Sequence, residues 1–365
     1  MKAMTNQTAT AYIGTYTKAE SEGIYRLVVD TKTGEILENK LAGKMDNPTY
    51  LKISGDEKYL YSVAKDGDKG GLAAFAINQD GSLSLLNTEV KVGNPPCYVD
   101  GSDDNTVVVS ANYHLGTILS YPTENGTLLS PLSEIQHTGK GVHERQEKPH
   151  AHFAGFTPDQ KFVVTCDLGT DHVTTYSAKD GRLEQVADLV VTPGSGPRNL
   201  VFHPNAKWVY IMTELTSDVF VANYDEKTGE LSIIQSIPSL PADFSAENKG
   251  SAIHISNDGR FLYVSNRGQD AIVSFEIDAS SGMLTLLETV SVEGAGPRDF
   301  DLDPSGEILL AANENTQNVT VFKVDKTSGR LTLLQKDIHV PEPVCVKFMQ
   351  LSHKELEKTL GSRVT

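Results

Sequence analysis

Two short signals alternate along this chain, and each recurs seven times at intervals of about fifty residues. One is a polar residue, Gly, a variable residue and an aliphatic, built around Gly34, Gly81, Gly126, Gly181, Gly229, Gly282 and Gly329. The other is a Pro (once a Ser) that opens an apolar run, at Pro48, Pro95, Pro149, Pro197, Ser251, Pro297 and Pro343. A unit of this length made of short alternating runs is a β-propeller blade rather than a helical repeat. Seven units predict seven blades.

Each unit divides into four strands. After Pro297 come Arg298–Leu302, a turn at Pro304–Gly306, the run Ile308–Ala312 and a polar bend at Asn313–Asn315. Val319–Val324, the hairpin at Ser328 and Gly329, and Leu331–Leu334 complete it. Period-two alternation punctuated by Gly, Asn and Asp marks antiparallel strands joined by tight turns. Gly suits the hairpins because φ > 0 is open to it without steric cost, so these seven turns are assigned a structural role.

At the start of the chain, Ala11–Tyr16 and Gly23–Val29 match the second and third strands of a blade, and Ile36 begins its fourth. The missing inner strand is Pro343–Phe348. The expected fold is therefore an all-β, seven-bladed propeller with four antiparallel strands per blade. A C-terminal inner strand joins the N-terminal strands to close the ring, which removes open sheet edges. Residues 1–365 read as one domain, with a ring over about 11–349 and a tail at 350–365. In that tail Ser352-His353-Lys354-Glu355 predicts a short helix.

A formal charge of −16 argues against nucleic acid and anionic membrane as partners, since both require a basic footprint. No stretch is apolar and long enough to span a membrane, and Met1–Gln7 lacks the apolar run of an export signal, so a cytoplasmic protein is expected. Cys97, Cys166 and Cys345 have no metal-type spacing and read as buried core thiols of a reducing compartment. Neither a metal nor a cofactor is expected. The single Trp208 and the lack of Gly-His and Trp-Asp pairs argue against a WD40 scaffold.

In a blade the inner strand leaves one face of the disc and the second strand returns to it. Residues just after each opening Pro and those ending each second strand therefore gather around the axis on one face. There the chain reads Lys148-Pro149-His150-Ala151-His152, Gly196-Pro197-Arg198 and Gly296-Pro297-Arg298. The second-strand ends read Thr213-Glu214-Leu215, Ser265-Asn266-Arg267 and Asn313-Glu314-Asn315, with Asp167 one blade earlier. Earlier blades carry Thr49-Tyr50 and Cys97-Tyr98 at these places, so the functional half of the ring is expected to be the later one.

Such a rim suits addition of water to the carbonyl of an anionic substrate. Guanidinium forks hold carboxylate, phosphate or a developing oxyanion. Either Glu214 or His152 takes the proton from water. No nucleophile-elbow Ser and no firm metal spacing is present, which favours direct attack. As rim groups, Arg198 and Glu214 are expected to be replaceable by Ala at a cost of about two or more orders of magnitude in kcat/KM and little in thermal unfolding.

The seven hairpins, together with Pro149-His150-Ala151-His152, Gly196-Pro197-Arg198-Asn199-Leu200-Val201-Phe202-His203-Pro204, Thr213-Glu214-Leu215, Ser265-Asn266-Arg267 and Gly296-Pro297-Arg298, resemble the propeller-type 6-phosphogluconolactonase family. That family is related to the fungal carboxy-cis,cis-muconate cyclase, and the likeness runs from about Ala11 to Phe348. The resemblance implies a metal-independent lactonase acting on 6-phospho-D-glucono-1,5-lactone in the oxidative pentose phosphate pathway. It carries the cyclase relatives' catalytic His, Arg, Glu and second Arg onto His152, Arg198, Glu214 and Arg267. His150, Arg298, Glu314 and Asn266 are expected to bind the small anionic sugar lactone, with His150 and Arg298 on its phosphate. Muconate-type lactone chemistry on the same rim and a non-enzymatic interaction platform are the competing readings.

Two connections between blades are long. Gln136 to Lys148 is basic, with His137, Lys140, His143, Arg145 and Lys148, and Pro238 to Lys249 carries Pro241, Phe244 and Glu247. They read as solvated loops or as a lid that draws in a sugar phosphate.

Overall fold

The computed structural model describes residues 8–350, and the expected tail helix at Ser352 lies outside them. Apolar alternation and tight turns yield seven antiparallel sheets, each running from an inner strand outward. In the seventh blade these strands are Pro297–Leu302, Ile308–Asn313, Asn318–Val324 and Leu331–His339. The seven inner strands touch in cyclic order, with Pro343–Phe348 packed against both Pro297–Leu302 and Leu51–Ile53. The sheets thus form the expected closed ring.

Closure is built from both ends of the chain. Pro343–Phe348 pairs antiparallel with Thr8–Thr15, setting Phe348 opposite Ala11 and Val346 opposite Ile13. Two carboxylates of the seventh blade fasten the free edge of that strand. Val346 N donates to Asp299 Oδ2 and Phe348 N to Asp301 Oδ2, each at 3.0 Å. Burial alone would raise the Asp299 carboxyl, but the neighbouring Lys347 and His254 hold it down at about 2.

The third blade departs from the expected plan. Its outer strand is split into Thr127–Leu128 and Ser133–Gln136, both paired with Thr117–Glu124. Pro131 falls in the gap, where it cannot donate to a ladder.

The hairpin glycines have a second task beyond the turn. Gly282 and Gly329 adopt φ of 74° and 71°, and a Cβ on either would lie 2.3 Å from the ring of Trp208 or Phe261 in the preceding blade. Their carbonyls accept hydrogen bonds from Tyr210 Oη and Tyr263 Oη, both at 3.0 Å. Each hairpin is a wedge keyed into its neighbour. Replacing Tyr263 by Phe strands the buried Gly329 carbonyl and is expected to lower unfolding free energy by about 1–3 kcal/mol. The urea midpoint at unchanged m-value reads this loss.

Candidate active site

Several inner strands break register with their second strand near the first residues. Ala151 pairs with Asp167 and Phe153 with Cys166, which leaves His152 as the extra residue. Arg198 is extra between Pro197, opposite Thr213, and Asn199, opposite Met212. Arg298 is extra between Pro297, opposite Asn313, and Asp299, opposite Ala312. A bulge unpairs one residue and re-aims its side chain, and bulges concentrate beside active sites. Here the bulges turn His152 and Arg298 into the wall of an axial cavity of about 300 Å³, with Arg198 buried behind it.

Second-strand ends deliver Glu214 and Arg267. Backbone bonds fix the Glu214 main chain between two blades: its N–H donates to Gly196 O at 2.8 Å and its carbonyl accepts from Gly250 N at 3.1 Å. On the side chain, Oε2 accepts from Arg198 Nε at 3.0 Å and from Arg267 Nη2 at 2.8 Å, while Oε1 accepts from Arg145 Nη2 at 2.5 Å. Arg198 also donates through Nη1 to Ser251 O at 2.9 Å. Burial alone would raise the Glu214 carboxyl, but Arg267, Arg198, His152 and Arg145 override it and hold it well below the usual carboxylate range. A carboxylate clamped in this way is a poor proton acceptor and a firm anchor. Burial lowers Arg198, and lowers Arg267 to about 10 against the pull of Glu214, so both stay cationic at neutral pH.

His152 has the opposite character. Burial first, and the charge of Arg198 second, hold its imidazole well below its ordinary value despite Glu214. At neutral pH the ring is uncharged, and its buried Nδ1 has no hydrogen-bond partner. Burial would lower Arg298, but Tyr16 and Glu314 raise it above its ordinary value. Its guanidinium sits 5.6 Å from the Tyr16 ring centroid, and Nη1 lies 3.6 Å from Glu314 Oε2.

The other expected binding residues are placed away from the cavity lining. His150 precedes the bulge, so its ring turns to stack on Tyr113 at 4.2 Å, with Nδ1 3.0 Å from the Tyr113 carbonyl and Nε2 3.2 Å from Glu147. Asn266 is buried and committed to Ser239, Asn248 and Gln269. Glu314 meets the cavity only through Arg298. Asp167 lies under the first long connection, accepting from His150 N at 2.8 Å and sitting 2.7 Å from His137 Nδ1.

Two expectations need correction. Early blades are not bland, because Tyr16, Asn47, Thr49, Cys97 and Tyr113 line the same cavity. Thr49 and Cys97 occupy the rim positions that the repeat marks but carry no charge, which is why charge alone does not pick them out. Cys166 and Cys345 are core thiols, but Cys97 is only half-buried and stands in the cavity wall. Its Sγ faces the carbonyls of Ala151 and His152 at 3.6 and 3.5 Å, and burial pushes the thiol up to about 11, so it is protonated at neutral pH.

Among the described residues, no group of three or more His, Cys, Asp and Glu side chains is arranged to hold a metal ion. No helix among them is long and apolar enough to cross a membrane. The cavity lining sets four cations, Arg145, Lys249, Arg267 and Arg298, against the single carboxylate of Glu214, in a protein of formal charge −16. That surplus fits an anion, and the neutral imidazole beside it can take a proton from water.

Comparison with known proteins points the same way. The family described as "Lactonase, 7-bladed beta-propeller" matches residues 10–348. A 6-phosphogluconolactonase of Bacillus subtilis is 48% identical over 340 residues, spanning 93% of this chain and 97% of that protein. The crystal structure of a Lactobacillus plantarum protein superposes with a TM-score of 0.90 at 40% identity, over 94% of this chain and all (100%) of that one. The periplasmic gluconolactonase of Pseudomonas aeruginosa does so with a TM-score of 0.88 at 31% identity, over 94% of this chain and 99% of that one.

Proposed function

Since the chain belongs to the seven-bladed β-propeller lactonases, we propose that it hydrolyses 6-phospho-D-glucono-1,5-lactone, or a closely related anionic sugar lactone, by direct attack of water. The observation that carries this reading is the neutral His152 set among an excess of guanidinium groups in one axial cavity.

In this mechanism Arg267 and Arg298, which face the cavity, hold the lactone carbonyl oxygen and stabilise the oxyanion. His152 takes a proton from water as the water oxygen bonds to the carbonyl carbon. The tetrahedral intermediate then collapses, the bond from that carbon to the ring oxygen breaks, and the ring oxygen recovers the proton from the imidazolium. Glu214 fixes Arg267, and Arg198 acts through Glu214 as a positioning residue. Clamped by three guanidiniums, Glu214 is the weaker candidate for the base.

A pH-stat assay on freshly made phospholactone, corrected for spontaneous opening, tests the reading. Acid release no faster than the uncatalysed rate would refute it. The pH profile tests the base. A base must be unprotonated to act, and His152 stays so below its ordinary value of 6.5. The acid limb of kcat/KM, which reports the free enzyme, is therefore expected below pH 6.5. Arg198→Met removes a neighbouring cation and should move that limb upward. A wild-type limb at or above pH 6.5 excludes His152 from this role.

A further inference from the structure

Glu214 is charge-compensated more than once. Its Oε2 already accepts from two strand-borne guanidiniums, Arg198 and Arg267, while Oε1 accepts from a third, Arg145. Arg145 differs from the other two in origin and exposure. It comes from the long connection between the third and fourth blades, and its side chain is 34% exposed, against 4% for Arg198 and 14% for Arg267. Arg298, the remaining guanidinium of the lining, has its own carboxylate in Glu314. Arg145 is therefore the most exposed of the three, and its departure would free Oε1 while leaving Oε2 paired with both strand-borne guanidiniums.

Its backbone is nonetheless held in place. The adjacent Gln146 is fully buried and donates through Nε2 to Leu168 O and Asp171 Oδ1, both at 2.8 Å. Asp171 Oδ1 also accepts from Gly196 N at 2.8 Å, which ties the connection to the turn that precedes Arg198. A pinned backbone with a half-exposed guanidinium can exchange partners without moving the loop. Lys249 lines the same cavity, one residue before the Gly250 N–H that bonds Glu214 O, and adds a second cation nearby.

We propose that Arg145 reads the phosphate of the substrate: it leaves Glu214 Oε1 for the phosphate oxygens, and so distinguishes phosphorylated from unphosphorylated sugar lactones. The inference rests on the lactonase reading above and deepens it. A phosphate offers a planar guanidinium a bidentate anion, a better partner than one oxygen of a carboxylate already shared by two other guanidiniums.

The test measures initial rates of wild type, Arg145→Ala and Arg145→Lys on the phosphorylated and unphosphorylated gluconolactones. Calorimetry of 6-phosphogluconate and gluconate binding runs beside it. In Arg145→Ala the ratio of kcat/KM between the two lactones is expected to fall by about tenfold or more, carried by KM, with Lys restoring part of it. Affinity for 6-phosphogluconate should fall by a similar factor of about ten, with that for gluconate changing by less than about threefold. An equal loss on both lactones, or unchanged 6-phosphogluconate affinity, overturns the assignment. Should wild type open neither lactone yet bind 6-phosphogluconate through Arg145, the hydrolytic reading fails and the phosphate site stands.

Discussion

Replacing His152 by Ala is expected to lower kcat/KM on the phospholactone by about 10²–10⁴-fold, the usual contribution of a positioned general base. Folding should hardly change. The imidazole carries a buried Nδ1 without a partner, and removing such an atom relieves a desolvation penalty of about 1–3 kcal/mol that offsets the lost packing. Stopped assays against freshly prepared lactone, together with a denaturation curve, separate the two effects. A loss in kcat/KM smaller than about tenfold would assign the proton transfer to another group.

Glu214→Ala behaves differently in stability. It leaves Arg198 and Arg267 as buried cations without their carboxylate, and breaking a buried network on one side costs about 3–5 kcal/mol. Activity falls by about two orders of magnitude or more as well, since Arg267 loses the anchor that aims it at the carbonyl. The pH dependence has a definite sign. Glu214 is held below its ordinary 4.5 when folded, so its contribution is complete above pH 4.5 and is lost as pH falls through the depressed value. The stability gap between wild type and variant should therefore be full at neutral pH and narrow only in acid. A gap under about 1 kcal/mol at pH 7 would contradict the buried clamp.

That second result reverses what the residue's place on the rim suggests. Read from the chain alone, Glu214 and Arg198 are groups at a channel mouth, removable without harm to folding. Spacing reveals which face a residue approaches but not how deeply it is covered. The blades themselves were legible because Gly marks all seven hairpins and Pro opens six of the seven units at fixed offsets, and closure followed from counting strands at the two ends. What stayed hidden was register. A bulge adds one residue without disturbing the run of apolar side chains, so both His150 and His152 were expected at the substrate until pairing made His152 the extra residue and turned His150 onto Tyr113. Arg145 was visible as part of a basic stretch, yet nothing local tied it to a carboxylate 69 positions later. The split outer strand of the third blade was equally silent, since one Pro in a loop predicts little.

The clasp between Asp299 and Asp301 and the amides of Val346 and Phe348 also dictates a timetable for biosynthesis. Thr8–Thr15 is synthesised long before its partner strand Pro343–Phe348, so a growing polypeptide must carry an unzipped seam until that strand emerges from the ribosome. Tyr16, just past Thr8–Thr15, meets Arg298 of the seventh blade at the boundary that Pro343–Phe348 closes. A message truncated before Pro343 would thus yield six finished sheets, an exposed edge for chaperones and proteases to find, and no completed pocket.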